Sequence, residues 1–324
     1  MLIYIIIIAG YFCFCIFSSE GQFRSDWEIR RIKRFREGLL QAAFGEKIKP
    51  KFIRDIVGQD RGLSLLQEIL YKSKPQHILI YGPQGVGKRI ATRLVFQRAR
   101  VRRNSFFDDQ SIILELEASS LYSDGIKSQE VLGGVVKYLT FKNTDNHAPI
   151  RIGQIKPGAV IKAHRGILFI EGIDQLQASD MNWLLEVLES NKVFFKDIDH
   201  DLSDKHRPEY IDKIFRDGLT SDFILVATTS KKPDDLPECL RSVCVEIFFD
   251  FLTPEEIASI IRDTCRRANL QIREKEIDKI KKYIDSGEEC RNLIEILGTR
   301  SVGQARRQIL AQDIEWLVKS LEKG

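Results

Sequence analysis

The chain has 324 residues, of which 43% are hydrophobic and 30% are charged, and its formal net charge is +4. This length and composition are typical of about two folded domains and exclude a disordered or low-complexity chain. The mild charge does not favour a nucleic-acid-binding surface. The six cysteines are scattered without the paired spacing of zinc ligands, so we predict reduced thiols and no metal site.

The first 17 residues, MLIYIIIIAGYFCFCIF, contain no charged side chain. This run is at the short end of the lengths that cross a bilayer as a helix. The basic residues follow it, and the positive-inside rule then places the rest of the chain in the cytoplasm. We predict a single-pass anchor in the cell membrane over residues 1–19 and a basic linker over residues 20–45. A cleaved signal peptide and a misassigned start are the alternatives.

Beyond the linker, the predicted elements alternate between strand and helix. Five short apolar runs are typical of buried strands: His77–Tyr81, Ser111–Leu116, Ile167–Ile170, Phe223–Ala227 and Val245–Phe249. Apolar residues at helical spacing predict three helices: Gly62–Ser73, Ile90–Arg100 and Met181–Ser190. This order indicates an α/β fold with a parallel sheet and helices on both of its faces.

Two further segments complete the domain organisation. The segment from Leu132 to Gly166 is rich in glycine and poorly periodic, so we predict a long loop there that is either functional or disordered. A helix-start signal stands at Thr253–Glu256, and the pattern is helical from there to the end. We therefore predict an α/β domain over residues 46–252 and a small all-helical domain over residues 253–324.

The run between the first strand and its helix fits the phosphate-binding pattern G-x-x-x-x-G-K-[ST] except at its last position. Its residues are Gly82, Pro83, Gln84, Gly85, Val86, Gly87, Lys88 and Arg89. Backbone N–H groups, the helix N-terminus and the lysine of such a loop hold phosphates, which predicts ATP or ADP as the cofactor. The final hydroxyl of the pattern normally ligates Mg²⁺, and an arginine cannot do so. The sequence therefore predicts nucleotide binding and puts Mg²⁺ and hydrolysis in doubt.

With these motifs in this order, the chain resembles the AAA+ ATPases, in particular the ATPase part of membrane-anchored Lon-like proteases of the LonB type. The stretches that carry the resemblance are Asp55–Asp60, Pro75–Pro83, Lys156–Val160, Ala163–Ile170, Ala227–Thr229, Leu236–Ser242, Cys244–Phe249 and Asp313–Trp316. The resemblance implies an AAA+ P-loop sheet followed by a helical lid domain. It also implies a hexameric ring that uses ATP to pull polypeptide into a Ser–Lys peptidase domain. Because the chain stops at Gly324, just after the lid, we expect no intrinsic protease activity.

The same resemblance assigns roles at the ends of two strands. It implies an Asp-Glu pair after the third strand, in which the first carboxylate orients Mg²⁺ and the second activates water. Glu171 and Gly172 stand there, so Glu171 is a degenerate metal-binding position and the catalytic base is missing. Thr229, at the end of the fourth strand, is the position of the first sensor.

The resemblance also implies residues that act between subunits or in the lid. Val243 stands where an arginine finger is expected, and Glu288 stands at the second sensor, although Arg291 lies one turn away and could substitute. Tyr138 and Phe141 fall in the segment that resembles a substrate-gripping pore loop.

Loss of a general base lowers rates by roughly 10²–10⁴-fold and loss of an arginine finger by roughly 10³–10⁵-fold. We therefore expect a regulatory or scaffolding ring subunit, assembled from copies of itself or with an active Lon-like relative. The alternative is a slow unfoldase that uses Asp174 as its base and passes a polypeptide substrate to a separate protease. A DNA-remodelling role is disfavoured because no basic stripe is present outside the linker, and we expect no nucleic-acid partner.

Overall fold

The computed structural model of the chain describes residues 45, 47–122, 131–141, 150–194, 209–303 and 306–321. They form two compact units. The described parts of 50–264 and 274–292 form the larger unit, and those of 1–49, 265–273 and 293–324 form the smaller. The anchor predicted for residues 1–19 and nearly all of the predicted linker lie outside the described residues.

The strands are β1 (His77–Tyr81), β2 (Ile113–Glu117), β3 (Gly134–Phe141), β4 (Ile150–Pro157), β5 (Ile167–Glu171), β6 (Lys192–Val193), β7 (Leu219–Thr220), β8 (Ile224–Thr229) and β9 (Cys244–Phe248). The helices are α1 (Asp60–Leu70), α2 (Lys88–Arg100), α3 (Ala159–Lys162), α4 (Ala178–Ser190), α5 (Glu209–Asp217), α6 (Glu238–Val243), α7 (Pro254–Ala268), α8 (Glu274–Ile280), α9 (Gly287–Gly303) and α10 (Ala311–Leu321).

A five-stranded parallel sheet of order β2-β5-β8-β1-β9 forms the centre of the larger unit. The middle strands are apolar along their length because helices cover them, and Phe169 of β5 is among the largest fully buried side chains. All five predicted strands are confirmed. β5 and β8 each run beyond the predicted ends, to Glu171 and Thr229, so both residues lie at the carboxyl edge of the sheet. Ligands of open parallel sheets bind at that edge.

The prediction of a long loop over Leu132–Gly166 is wrong for the part that the structure describes. β3 and β4 pair antiparallel, with Gly134 opposite Pro157, and α3 follows them. The glycines suggested a loop, whereas the β-branched and aromatic residues between them favour strands. Gly134 has φ of +98°, and a Cβ there would lie 2.4 Å from the carbonyl oxygen of Lys156. It therefore closes the base of the hairpin and does not mark a loop.

The pore-loop interpretation of Tyr138 and Phe141 stays a prediction; both lie on β3. The predicted helical region after Thr253 is confirmed, because α7 to α10 account for most of its described residues. Among the described residues, no helix combines the length and the apolar character needed to cross a bilayer.

Candidate nucleotide-binding site

The phosphate-binding loop connects β1 to α2, as predicted, and its backbone demands glycine. Gly82 has φ of +140°, and a Cβ there would lie 2.0 Å from the carbonyl oxygen of Phe249. Gly85 and Gly87 also have positive φ values, of +71° and +101°. These conformations are rarely open to other residues, and in loops of this kind they turn backbone N–H groups toward a bound phosphate.

Lys88 is the first residue of α2, and its side chain folds back across the loop. Its Nζ donates hydrogen bonds to the carbonyl oxygens of Gly82, at 2.5 Å, and Pro83, at 2.7 Å. Burial lowers the pKa of Lys88 to about 8, because the charged form loses solvation there. The ammonium group therefore lies inside the loop, where a phosphate oxygen would meet it.

We expect the affinity for ATP to fall as the pH rises through about 8, because Lys88 loses its charge more easily in the free protein than in the nucleotide complex. The pKa of the free form is depressed, so the contribution of the ammonium is complete below about pH 8. Above it, affinity should fall about tenfold per pH unit, or roughly 30-fold by about pH 9.5. Calorimetric titrations of the wild type and Lys88→Arg would test this. Arginine stays charged over that range, so the variant should show a flat profile. A flat profile for the wild type would contradict the expectation.

Arg89 does not point a free guanidinium into the loop, because it forms an ion pair with Glu171. Its NH2 atom contacts Oε2 of Glu171, and its Nε lies 3.9 Å from Oε2 of Glu115. Glu115 in turn accepts a 2.6 Å hydrogen bond from NH2 of Arg93, one turn further along α2. The strand register brings this group together, since β2 and β5 are neighbours in the sheet. The sequence does not identify Glu115 as a site residue, because its place near Arg89 depends on the pairing of β2 with β5.

These residues do not fit a magnesium ion. Arg89 has no lone pair to donate, and the Glu171 carboxylate is already engaged by a cation of its own chain. Within the part of the chain that the structure describes, no cluster of three or more His, Cys, Asp or Glu residues is arranged to hold a metal.

The residue that directly follows β5 carries no side chain that could act as a base. Gly172 follows Glu171 directly and has a left-handed backbone, with φ of 67° and ψ of 45°. Asp174, the predicted alternative base, accepts a 2.7 Å hydrogen bond from Oγ1 of Thr229. Its second carboxylate oxygen lies 3.3 Å from Nζ of Lys231. Asp174 is thus paired with Lys231 and hydrogen-bonded to Thr229, the first-sensor position at the end of β8.

The segment predicted to carry an arginine finger contacts other parts of its own chain. Val243, the last residue of α6, packs against the main hydrophobic cluster of the larger unit. Arg241 donates to Oε1 of Glu246 and Oδ1 of Asp234, both at 2.8 Å. These two acidic partners raise the pKa of Arg241. Its guanidinium is therefore bound to its own chain.

The start of α9 contacts the phosphate-binding loop within the larger unit. The backbone N–H of Glu288 donates to the carbonyl oxygen of Gly85 at 3.1 Å. A Cβ on Gly85 would lie 2.7 Å from Ser286, so glycine permits this close approach. Arg291 lies 3.6 Å from the Glu288 carboxylate, which places both candidate second-sensor residues near the loop. Ser286 was not predicted, since only the fold brings it there.

Comparison with known proteins agrees with this geometry. Residues 78–251 match the family described as ATPase family associated with various cellular activities, or AAA. The chain is 34% identical over 293 residues to Lon protease 2 of Bacillus subtilis. The matched region covers 90% of this chain and 53% of that protein, so the chain spans about half of its length.

Two solved structures show the same fold. The RuvB Holliday junction branch migration motor of Thermotoga maritima has a TM-score of 0.54 and 18% identity, over 85% of this chain and 73% of its own. NtrX of Brucella abortus, in complex with ADP, has a TM-score of 0.55 and 15% identity, over 88% of this chain and 59% of its own. Together with the parallel sheet and its phosphate-binding loop, the family match shows that the chain belongs to the AAA family of ATPases.

Proposed function

We propose that this chain is a membrane-anchored Lon-like AAA+ ring subunit that binds ATP or ADP, hydrolyses ATP at little or no rate, and regulates or scaffolds the ring. The apolar segment at residues 1–17 and the basic residues after it support the membrane attachment. The likeness to Lon protease 2 supports assembly into a ring, either with copies of itself or with an active relative.

The observation that carries the proposal is the pairing of two carboxylates, Glu171 at the end of β5 and Asp174 just after it. Glu171 is paired with Arg89, and Asp174 is paired with Lys231 and bonded to Thr229. A general base must lie within hydrogen-bond reach of the attacking water, and the carboxylates of Glu171 and Asp174 are both engaged by cations of their own chain. Gly172 offers no side chain at the position between them. Loss of the base alone lowers the rate by roughly 10²–10⁴-fold.

Nucleotide binding depends on different groups, and these are retained. The glycine-dependent loop conformation, the N-terminus of the 13-residue α2 and the Lys88 ammonium all converge where phosphates would lie. The ADP complex of NtrX, a protein of the same fold, supports a nucleoside diphosphate as one ligand.

A subunit that cannot supply a finger would also slow its neighbour in a mixed ring, because fingers act across the subunit interface. The chain has Val243 at that position, and Arg241 is held by Asp234 and Glu246. Removing an arginine finger costs roughly 10³–10⁵-fold in rate. Each incorporated copy should then silence its own site and one adjacent site.

When less than one copy of this chain per ring is mixed into an active Lon-like relative such as Lon protease 2, we expect the ATPase rate of that relative to fall. The rate should fall more steeply than simple dilution of active subunits explains. Val243→Arg should recover part of the rate, whereas Val243→Leu, which keeps an apolar side chain, should not. A rate that stays unchanged over all mixing ratios would overturn the regulatory role, and ATP-driven unfolding by the chain alone would favour the unfoldase alternative.

A further inference from the structure

The two positions that share a magnesium ion in a phosphate-binding loop ATPase have both changed in this chain, and the new side chains touch each other. In such ATPases a loop hydroxyl and a carboxylate at the end of a neighbouring strand hold Mg²⁺. Here the hydroxyl position is Arg89, the carboxylate position is Glu171, and the guanidinium contacts the carboxylate directly. A cation of the protein thus lies where two metal-binding groups are expected to converge.

We propose that the Arg89 guanidinium takes the place of Mg²⁺, so that this site binds metal-free nucleoside di- and triphosphates. The inference rests on the proposed nucleotide binding and specifies the form of the nucleotide that the site accepts.

The formal charges around the phosphates support this substitution. Lys88 and Arg89 contribute two positive charges, Glu171 contributes one negative charge and Gly172 none, and Glu115 is offset by its pair with Arg93, which leaves one net positive charge. The pattern implied by the family, with a lysine, a divalent ion and two carboxylates, also leaves one net positive charge. The site therefore offers the nucleotide the same local charge without a metal. Binding a divalent ion as well would add two positive charges beside Arg89 and break its pair with Glu171.

The geometry allows Arg89 to serve both Glu171 and a phosphate. A guanidinium has five N–H donors in one plane, so carboxylates beside NH2 and Nε leave the donors of NH1 for phosphate oxygens. The side chains of Arg89 and Glu171 are 48% and 43% exposed, so a ligand can reach the pair. Lys88 reaches back to the loop carbonyls, while Arg89 is directed toward Glu115 in the middle of β2 and Glu171 at the end of β5. Glu171 thus orients the guanidinium, and Lys88 supplies the cation inside the loop.

The experiment is calorimetric titration of ADP and of ATP into the whole chain, in excess MgCl₂ and in excess EDTA. The expected dissociation constants agree within about threefold between the two buffers. The melting temperature should rise equally with nucleotide in both buffers, because ligand binding stabilises the folded state by mass action. An affinity that increases tenfold or more with Mg²⁺ would overturn the inference and leave nucleotide binding itself intact.

Variants separate the role of the guanidinium from general electrostatics. Arg89→Thr should weaken binding in EDTA by about tenfold or more, as expected for charge-assisted hydrogen bonds. Arg89→Thr combined with Glu171→Asp restores the hydroxyl and carboxylate pair, and its affinity should rise tenfold or more with Mg²⁺. Arg98→Thr removes the same charge from an exposed position of α2 and should leave the affinity for nucleotide unchanged.

Two further results would count against the inference. If Arg89→Thr binds metal-free nucleotide as well as the wild type does, the guanidinium has no role in binding. If the wild type binds no nucleotide in either buffer, then Arg89 closes the site. The proposed nucleotide binding would then fail, and the inference would fail with it.

Discussion

Replacing Lys88 by methionine is expected to weaken ATP binding by more than 100-fold while leaving the chain folded. The ammonium group lies inside the loop, bonded to the carbonyl oxygens of Gly82 and Pro83. Removing one partner of a close, desolvated charge pair costs about 3 kcal/mol or more, which corresponds to a factor above 100. Methionine keeps the unbranched aliphatic part of the side chain and is one atom shorter, so most of the packing around the loop is retained.

The fold should tolerate this change because two effects on stability offset each other. Two hydrogen bonds to loop carbonyls are lost, and the burial that lowers the pKa of Lys88 to about 8 no longer penalises a charge. Calorimetry measures the affinity for ATP and thermal unfolding measures stability, so the effects of the substitution on binding and on folding are separated. Lys192→Met, which removes the same charge from an exposed residue of β6, is the matched control and should bind normally. Binding by Lys88→Met within about tenfold of the wild type would contradict the assigned role.

Replacing Gly82 by alanine is expected to destabilise the larger unit by about 3–5 kcal/mol and to abolish nucleotide binding. The backbone there has φ of +140°, and the new Cβ would lie 2.0 Å from the carbonyl oxygen of Phe249. That oxygen belongs to the backbone following β9 and cannot rotate away as a side chain would. The end of β1 and the segment after β9 would have to separate.

The matched control for this prediction is Gly87→Ala in the same loop. Gly87 also has a positive φ, of +101°, but the nearest atom to an added Cβ is Cγ2 of Ile90 at 3.6 Å. Gly87→Ala therefore introduces backbone strain without a steric clash, and this strain costs about 1–2 kcal/mol. Denaturant titration of both variants gives the difference. Equal losses of stability would show that the contact with Phe249 is relieved by a small backbone shift.

Much of the fold follows from hydrophobic patterning. The five strands of the sheet are continuous apolar runs because both of their faces are covered, and this pattern is readable without any neighbour. The order β2-β5-β8-β1-β9 is not readable in this way, since it depends on which strands pair across the crossover helices. The hairpin of β3 and β4 was not predicted, because glycines usually interrupt strands. Here Gly134 instead permits the close approach of the two strands.

The site was predictable where a motif fixes it and unpredictable where distant segments meet. The loop from Gly82 to Arg89 follows from its spacing, and the structure places it between β1 and α2 as predicted. The sequence also identified Arg89 and Glu171 as unusual, each on its own. Their direct contact could not be predicted, because 82 positions of chain separate them and only the parallel sheet joins them.

The internal pairing of Asp174 was likewise invisible in the sequence. Its partners, Thr229 and Lys231, belong to the end of β8 and the segment after it. The sequence offered Asp174 as an alternative base because it lies three positions after Glu171. The structure instead brings it beside a lysine and a threonine hydroxyl.

Phosphate release from a nucleotide-saturated sample decides whether the site binds nucleotide without hydrolysing it. Calorimetry on the same preparation establishes how much of the protein is occupied. We expect binding with phosphate release no faster than that of Lys88→Met, which should not bind. Sustained turnover above that background, abolished by Glu171→Gln, would instead identify the chain as a working ATPase.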